Sequence, residues 1–522
     1  MLTRRNALRL LAASAAAPTL MAASAPRAFA ADGRPVLRVA VQTIGASLEP
    51  LESINNVALR AIDLMFDRPL RRNFVAEEKN PGKTVIDPQL ATSVEQISPR
   101  VWEMKLRPGV RMHDGTTLSV DDILATFGQD RVGPKSPYPF GRQLFGHLTE
   151  LEKVNDLTVR LHTKFDDVVM PHRLSAYGAW IVGAKAYKEL GPDGFKRNPV
   201  GAGPYKLKEF VRDTRLVFSS HDEYWMGKPA AAEVVISVVP EAATRVAGLI
   251  SGEYDIITNL LPDQVPQLKG YKDVEAKIGA MDLVHMLFCD DRRPAVADPR
   301  MRQALWFAID YDAVGKAVWG ENYKRPNNLQ LPSFGDLYDA SRKYFHYDPA
   351  RAKQLLSAAG YKGGEIILRV PPTYYVGSGD AAEIIHAQWQ ELGIKVKLEI
   401  AESAAQQNEP GADVRVISAS IRFPDPLGGG VIDALGKDSP LQVRKFYNPK
   451  TGYNAVCDQL LAATDRQERR THFQRMLDIL EEEAPVSILY SINEIIGKKT
   501  RVNYTQYPLY YMDLRPDVFS FT

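Results

Sequence analysis

The run I-I-L-R-V (366–370) is followed by a helical pattern around 380–392, then Gly393 and the run I-K-V-K-L-E-I (394–400). Two strands joined by such a helix lie parallel in one sheet, with the helix packed on a face of that sheet. This β-α-β unit commits the chain to an α/β architecture, and the neighbouring sequence agrees. Asp298 and Asp348 each precede a proline and an amphipathic run, the pattern of a capped helix start with proline at its first position. Gly360 supplies the C-terminal stop of the second helix.

The first half of the chain has a different texture. V-L-R-V-A-V (36–41) alternates as a strand, and residues 56–68 read as an amphipathic helix. The runs V-W-E-M-K-L-R (101–107) and L-T-V-R-L-H-T (157–163) are short alternating strands bounded by P-G, D-G and N-D turns. Between them Ser119 opens a helix with Asp121 and Asp122 in its first turn, where the helix dipole favours acids. Strands at 205–210, 216–220 and 234–239 follow, then a helix over 242–250 ended by Gly252. A chain of 522 residues exceeds one ordinary core and divides into several structural units, a β-rich one ahead of the α/β one. No internal repeat is present.

The first thirty residues read as a leader. Arg4 and Arg5 after Thr3, with Leu8 and Arg9 behind them, resemble a twin-arginine export signal. An Ala/Leu-rich run broken by Pro18 follows, and Ala28-Phe29-Ala30 offers a cleavage site that leaves Ala31 as the mature N-terminus. No cysteine lies near that site, which argues against a lipid anchor. No later segment reaches the ~18 apolar residues of a membrane span. The expected product is soluble, outside the cytoplasm and without membrane insertion. The formal charge of +2 turns slightly negative without the four leader arginines, so there is no basic field for nucleic acid. The two cysteines, Cys289 and Cys457, read as separate buried thiols of a protein that folds before export.

Catalytic and cofactor patterns are missing. Gly201-Ala202-Gly203-Pro204 lacks the third glycine and following helix of a nucleotide loop, and reads as turn punctuation. His113 and Asp114 precede Gly115 as a β-turn, not a dyad. Nine histidines without H-E-x-x-H, and no cysteine cluster, give no metal site. No G-x-S-x-G or G-x-x-x-x-G-K occurs, so no enzyme and no cofactor is expected. Glu481–Glu483 reads as a solvated helix face. Trp102, Met104 and Leu106 alternate toward a core ahead of the Pro108-Gly109 turn.

Eight segments in one order resemble the extracytoplasmic solute-binding proteins of peptide/nickel-type ABC importers, the bacterial family 5 binding proteins. They are P-Q-L-A-T-S-V (88–94), W-E-M-K-L-R-P-G-V-R-M-H-D-G (102–115), L-S-V-D-D-I-L-A-T-F (118–127) and N-P-V-G-A-G-P-Y (198–205). The others are Y-W-M-G-K-P (224–229), D-P-R-M-R-Q-A-L-W-F-A-I-D (298–310), Y-D-P-A-R-A-K-Q-L-L-S-A-A-G-Y (347–361) and E-L-G-I-K-V-K-L (391–398). No single segment decides; their shared order does.

The resemblance implies a two-lobed periplasmic-binding-protein (Venus-flytrap) fold of class α/β, with a discontinuous first lobe and a β-rich subdomain. The first lobe is expected over 31–285 with a C-terminal return over 496–522, and the second over 286–495. The chain is expected to cross between lobes near Leu283–Phe288 and Ile488–Ile492, and to close over a ligand. The implied role is a monomeric periplasmic protein that captures a small molecule and delivers it to a membrane permease and its ATPase. Within the family the alternative is ordinary di- or oligopeptide binding with the ligand amine held elsewhere. A secreted two-domain hydrolase is the alternative from another class, and it lacks a nucleophile–base pair in the sequence.

Loops that face the cleft by resemblance supply the site candidates. Tyr374 and Tyr375 follow a strand of the second lobe and could stack on a ligand. Ser47, Glu49 and Asn55 follow the first strand and could make polar contacts; Arg369 sits within a strand and could merely snorkel from it. Many peptide-binding relatives carry W-x-x-D-Y-x-D-P near the end of the second lobe, whose first aspartate holds the ligand ammonium. Here Ala419 stands for the tryptophan, Arg422 for that aspartate and Phe423 for the tyrosine, with Asp425 as the turn carboxylate. An ammonium beside a guanidinium is repelled by ~4 kcal/mol at an effective dielectric of about 20. Arginine instead suits a carboxylate or phosphate. The alternative is that Arg422 pairs with an acid such as Asp425 or Asp433 and touches no ligand.

Overall fold

One mixed sheet runs the length of the molecule. The computed structural model describes residues 32–52, 56–80, 83–371, 376–430, 432, 434–450 and 452–522. The leader with its twin-arginine motif, and the candidates Asn55, Tyr374 and Tyr375, lie outside the described residues. Among those residues the sheet has ten strands. Their spatial order is 396–400, 366–370, 414–420, 274–289, 486–499, 256–257, 36–41, 233–238, 215–220 and 205–211.

The β-α-β unit appears as expected. Ile366–Val370 and Val396–Ile400 pair in parallel across the helix Ser378–Glu391. Ile366–Val370 also pairs in parallel with Val414–Ser420, and Val36–Val41 does so with Glu233–Val238 and Ile256–Ile257. The rest of the sheet departs from the parallel expectation. Its centre is antiparallel, because Val274–Cys289 and Val486–Lys499 traverse the molecule in opposite directions, paired with each other. Those strands contain both segments expected to cross between lobes. Ala280 faces Asn493 and Val284 faces Ser491, so Met281, Asp282 and Leu283 oppose the single residue Ile492. A bulge of this kind bends the ladder and increases its twist.

The β-rich region is a separate four-stranded antiparallel sheet, in the order 91–98, 101–106, 158–163 and 148–155. Trp102, Met104 and Leu106 turn into a core of their own with Val159, Leu161 and Ile123. The helix Val120–Phe127 packs on it and starts at a full capping box: the Ser119 hydroxyl accepts from the Asp121 amide at 3.2 Å, and Asp122 accepts from the Ser119 amide at 2.9 Å. The Gly203 turn has a packing cause as well. A Cβ there would stand 2.4 Å from the Met65 carbonyl carbon, so the turn closes directly against the helix Asn56–Met65.

Beyond Lys499 the chain packs on the first-lobe elements. Arg515 is fully buried, with Asp67 at 2.6 Å, Asp513 at 2.9 Å and Asp63 at 3.2 Å. Burial opposes the charged form of Asp513, but Arg515 and Arg71 overcome it and hold this carboxyl below its usual range.

Two other expectations fail locally. Glu481–Glu483 is not simply a solvated face: Glu483 is buried and accepts from the Tyr447 hydroxyl at 3.1 Å, while Glu481 binds Arg342 at 2.7 Å. The helix end packs under the loops 324–345 and 445–450, which the local charge run cannot signal. Arg369 does not snorkel either; it is buried, bound to Glu399 at 3.2 Å and to the Glu409 carbonyl at 2.6 Å. Cys289 and Cys457 are separate buried thiols, and burial pushes Cys457 up to about 12.

Candidate functional site

The S-I-R-F-P-D-P segment leaves the sheet at Ser420, the end of the strand Val414–Ser420. A tight turn follows, in which the Arg422 amide donates to the Gly428 carbonyl at 2.6 Å and the Gly428 amide to the Asp425 carbonyl at 2.8 Å. Gly429 adopts φ +146°, and a Cβ there would meet the Ser420 carbonyl at 1.9 Å. Only glycine lets the returning chain lie this close to the strand end. Asp425 locks the turn: one oxygen accepts from the Leu427 amide at 2.9 Å, and both take the Arg469 guanidinium at 2.7 and 2.8 Å. Its expected role as a turn carboxylate is thus visible, and its partner is Arg469.

This turn sends two consecutive side chains in different directions, Arg422 to a cavity wall and Phe423 against the His172 ring. The Arg422 guanidinium lies 5.1 Å from the Tyr177 ring and 5.7 Å from the Phe140 ring. It forms part of the wall of a cavity of about 240 Å³, with Ser418, Ala419 and Ser420 on the same segment and Pro440 and Leu441 opposite. Arg422 is 3% exposed, and burial draws its pKa below the arginine value while the Tyr177 hydroxyl opposes that shift. A cation over aromatic faces in a dry wall interacts more strongly with an anion than one in water. Ala419 borders the cavity where a tryptophan would occupy it. Asp433, the other acid considered for Arg422, lies outside the described residues.

Phe423 is buried and stacks on His172 across the lobes, with ring centroids 5.7 Å apart at 21°. His172 lines a second cavity, of about 480 Å³, together with Asp425, Arg466 and Arg469. Burial lowers the His172 pKa, against the pull of Asp425, so this imidazole is neutral at neutral pH.

Ser47 and Glu49 sit elsewhere. The Ser47 hydroxyl donates to Glu52 at 2.6 Å, and both Glu49 oxygens hold Arg131, at 2.6 and 3.1 Å. Glu49 also accepts from the Leu51 amide at 3.0 Å, so its acceptor positions serve the loop that ties the first strand to the helix Gln129–Val132. Neither residue borders the Arg422 cavity. Phe140, Tyr177 and His172 escape sequence reasoning because each is an isolated ring on a first-lobe segment. The fold alone brings them to Arg422 and Phe423.

The model of the bacterial extracellular solute-binding proteins, family 5, matches residues 85–430, well over half of the chain. Over 459 residues the chain is 28% identical to the heme-binding protein A of Haemophilus influenzae, covering 80% of this chain and 81% of that protein. Over 342 residues it is 28% identical to the dipeptide-binding protein of Escherichia coli, covering 61% of this chain and 64% of that protein. Among solved structures, the Agrobacterium tumefaciens binding protein AgaA in complex with agropinic acid superposes with a TM-score of 0.81. That match has 21% identity and covers 93% of this chain and 99% of that one.

Proposed function

Because the chain belongs to the bacterial extracellular solute-binding proteins of family 5, we propose that it captures a small organic acid or acidic peptide-like molecule between its lobes. It is the binding component of an ABC importer, and family members are binding proteins rather than enzymes. The observation that supports the anionic preference is the Arg422 cavity, with a buried guanidinium framed by Tyr177 and Phe140. By the resemblance to peptide binders, Arg422 takes the position of the aspartate that holds their ligand's ammonium. The relative named for agropinic acid makes an acidic ligand compatible with the fold. The dipeptide-binding relative supports a second reading, ordinary peptide binding with the ligand amine held elsewhere.

Mass spectrometry of ligand carried through gentle purification, followed by a thermal-shift screen, separates the two. Anionic compounds should outrank neutral di- and tripeptides, and Arg422→Asp should abolish binding of the best anionic compound. Retained affinity in Arg422→Asp would reassign the arginine to the scaffold. Loss of the ligand-free fold would mean that it serves an internal pair.

Export belongs to the same proposal. The chain leaves the cytoplasm by the twin-arginine route and works in the periplasm as a monomer, without inserting into the membrane. Among the described residues no helix is long and apolar enough to cross one. Replacing Arg4 and Arg5 with lysine should leave a folded precursor in the cytoplasm; undiminished mature protein in the periplasm would point to the general secretory route.

A further inference from the structure

A chamber of about 370 Å³, distinct from the two cavities above, lies on the seam between the lobes, behind the wall of the Arg422 cavity. The same elements build both chambers from opposite sides. In the helix Pro139–Phe145, Phe140 faces the Arg422 cavity while Arg142 and Gln143 face the seam chamber. On the other lobe Gly430 and Ala434 face the first, and Ile432 and Gly436 face the second. The Gln143 amide donates to the Asp438 carbonyl at 3.2 Å and joins the two lobes at this partition.

The seam chamber is amphipathic. Phe165, Leu427, Ile432, Cys457 and Leu461 give it an apolar floor. Its rim carries the cations Arg142, Lys164, Arg173 and Lys437 against the carboxylates of Asp438 and Asp458. Arg173 is committed to Asp167 at 2.9 Å and Lys437 to Asp458 at 2.6 Å. Arg142 and Lys164 bond only neutral carbonyls, those of Ser136 and Gly146, and have no carboxylate partner among the described residues. His147, also in the lining, is held neutral by burial and adds no charge near neutral pH. With the Asp438 carboxylate set against them, Arg142 and Lys164 leave the rim one positive charge in excess over an apolar floor of ligand size, which matches a molecule with an apolar body and one acid group.

We propose that the seam chamber is a second binding site, for a small amphipathic carboxylate whose apolar body lies against Phe165, Leu427 and Leu461 and whose acid group faces Arg142 and Lys164. Both lobes contribute to it, so its occupant stabilises their apposition independently of the Arg422 cavity.

Octanoate is the probe, measured on the full mature chain by calorimetry and thermal shift, with octanamide and acetate as controls. Octanoate should bind saturably and raise the melting temperature. Octanamide, without the charge, and acetate, without the apolar body, should each bind at least about tenfold more weakly. Leu461→Trp fills the floor and should abolish the response, and Lys164→Glu on the exposed rim should weaken it about tenfold without touching the core. Arg422→Gln should leave octanoate affinity unchanged. Equal binding of octanoate and octanamide overturns the proposal. So does full affinity in Lys164→Glu, or loss of octanoate binding in Arg422→Gln, which would move the probe to the other cavity.

Discussion

Whether a charged residue near a loop is consumed by the scaffold is decided by its partners rather than by its type or position. Glu49 is a loop acid near the first strand, as a ligand contact would be, yet both oxygens are spent on Arg131 in a dry interior. Burial works against the Arg131 charge and Glu49 overrides it, raising the arginine's pKa. Breaking such a pair leaves one buried charge uncompensated, at a cost of ~3–5 kcal/mol. Arg131→Met should therefore lower chemical-denaturation stability by about that amount, while ligand affinity per folded molecule stays as in the wild type. A tenfold loss of affinity with unchanged stability would instead make this pair part of the binding machinery. Arg369 follows the same logic. Its position within a strand suggested a solvent-reaching side chain, but Glu399 and the Glu409 carbonyl hold it inside.

Elements with a local cause were legible, and those with a tertiary cause were not. Ser119, Asp298 and Asp348 announce helix starts because the cap is made by residues two or three positions away, and all three accept the amides that their positions imply. Ser119→Ala should accordingly cost ~1 kcal/mol, seen as a lower denaturation midpoint with an unchanged slope. No change would mean that packing alone starts this helix. The β-α-β unit was legible for the same reason, since its period and connection length lie within one stretch of chain. The antiparallel centre of the sheet was not, because Val274–Cys289 meets Val486–Lys499 across nearly two hundred intervening residues. The candidate site divides likewise: Arg422 and the Asp425 turn stand out within one short segment, whereas Tyr177, Phe140 and His172 reach it only through lobe packing.

At the scale of the molecule, the arginine-paired carboxylates Asp513 and Asp167 make stability depend on pH. Burial would raise Asp513 and Asp167, but Arg515 beside the first and Arg173 beside the second hold both below the ordinary carboxylate range. A depressed carboxylate contributes its full stability above the unfolded value of about 3.9, and that contribution is lost as pH falls through the lower folded value. The histidines that burial holds below their ordinary pKa, His113, His147, His172, His221 and His285, add a shallower loss that begins at about pH 6.5, where the unfolded chain starts to bind protons that the folded chain refuses. Denaturation midpoints should thus decline gently from about pH 6.5 and steeply below about 4. A curve that stays flat down to about pH 5 would mean that these histidines do not contribute. The Arg515 cluster also sets a timetable. Asp67 lies 448 positions ahead of its guanidinium partner, so it emerges from the ribosome long before that partner exists. Asp63 also meets Arg68 at 3.3 Å within its own segment, but among the described residues Asp67 has no cation partner other than Arg515. A nascent first lobe would thus bury the Asp67 carboxylate without countercharge until translation has reached Arg515. Completion of the fold is thereby coupled to completion of synthesis.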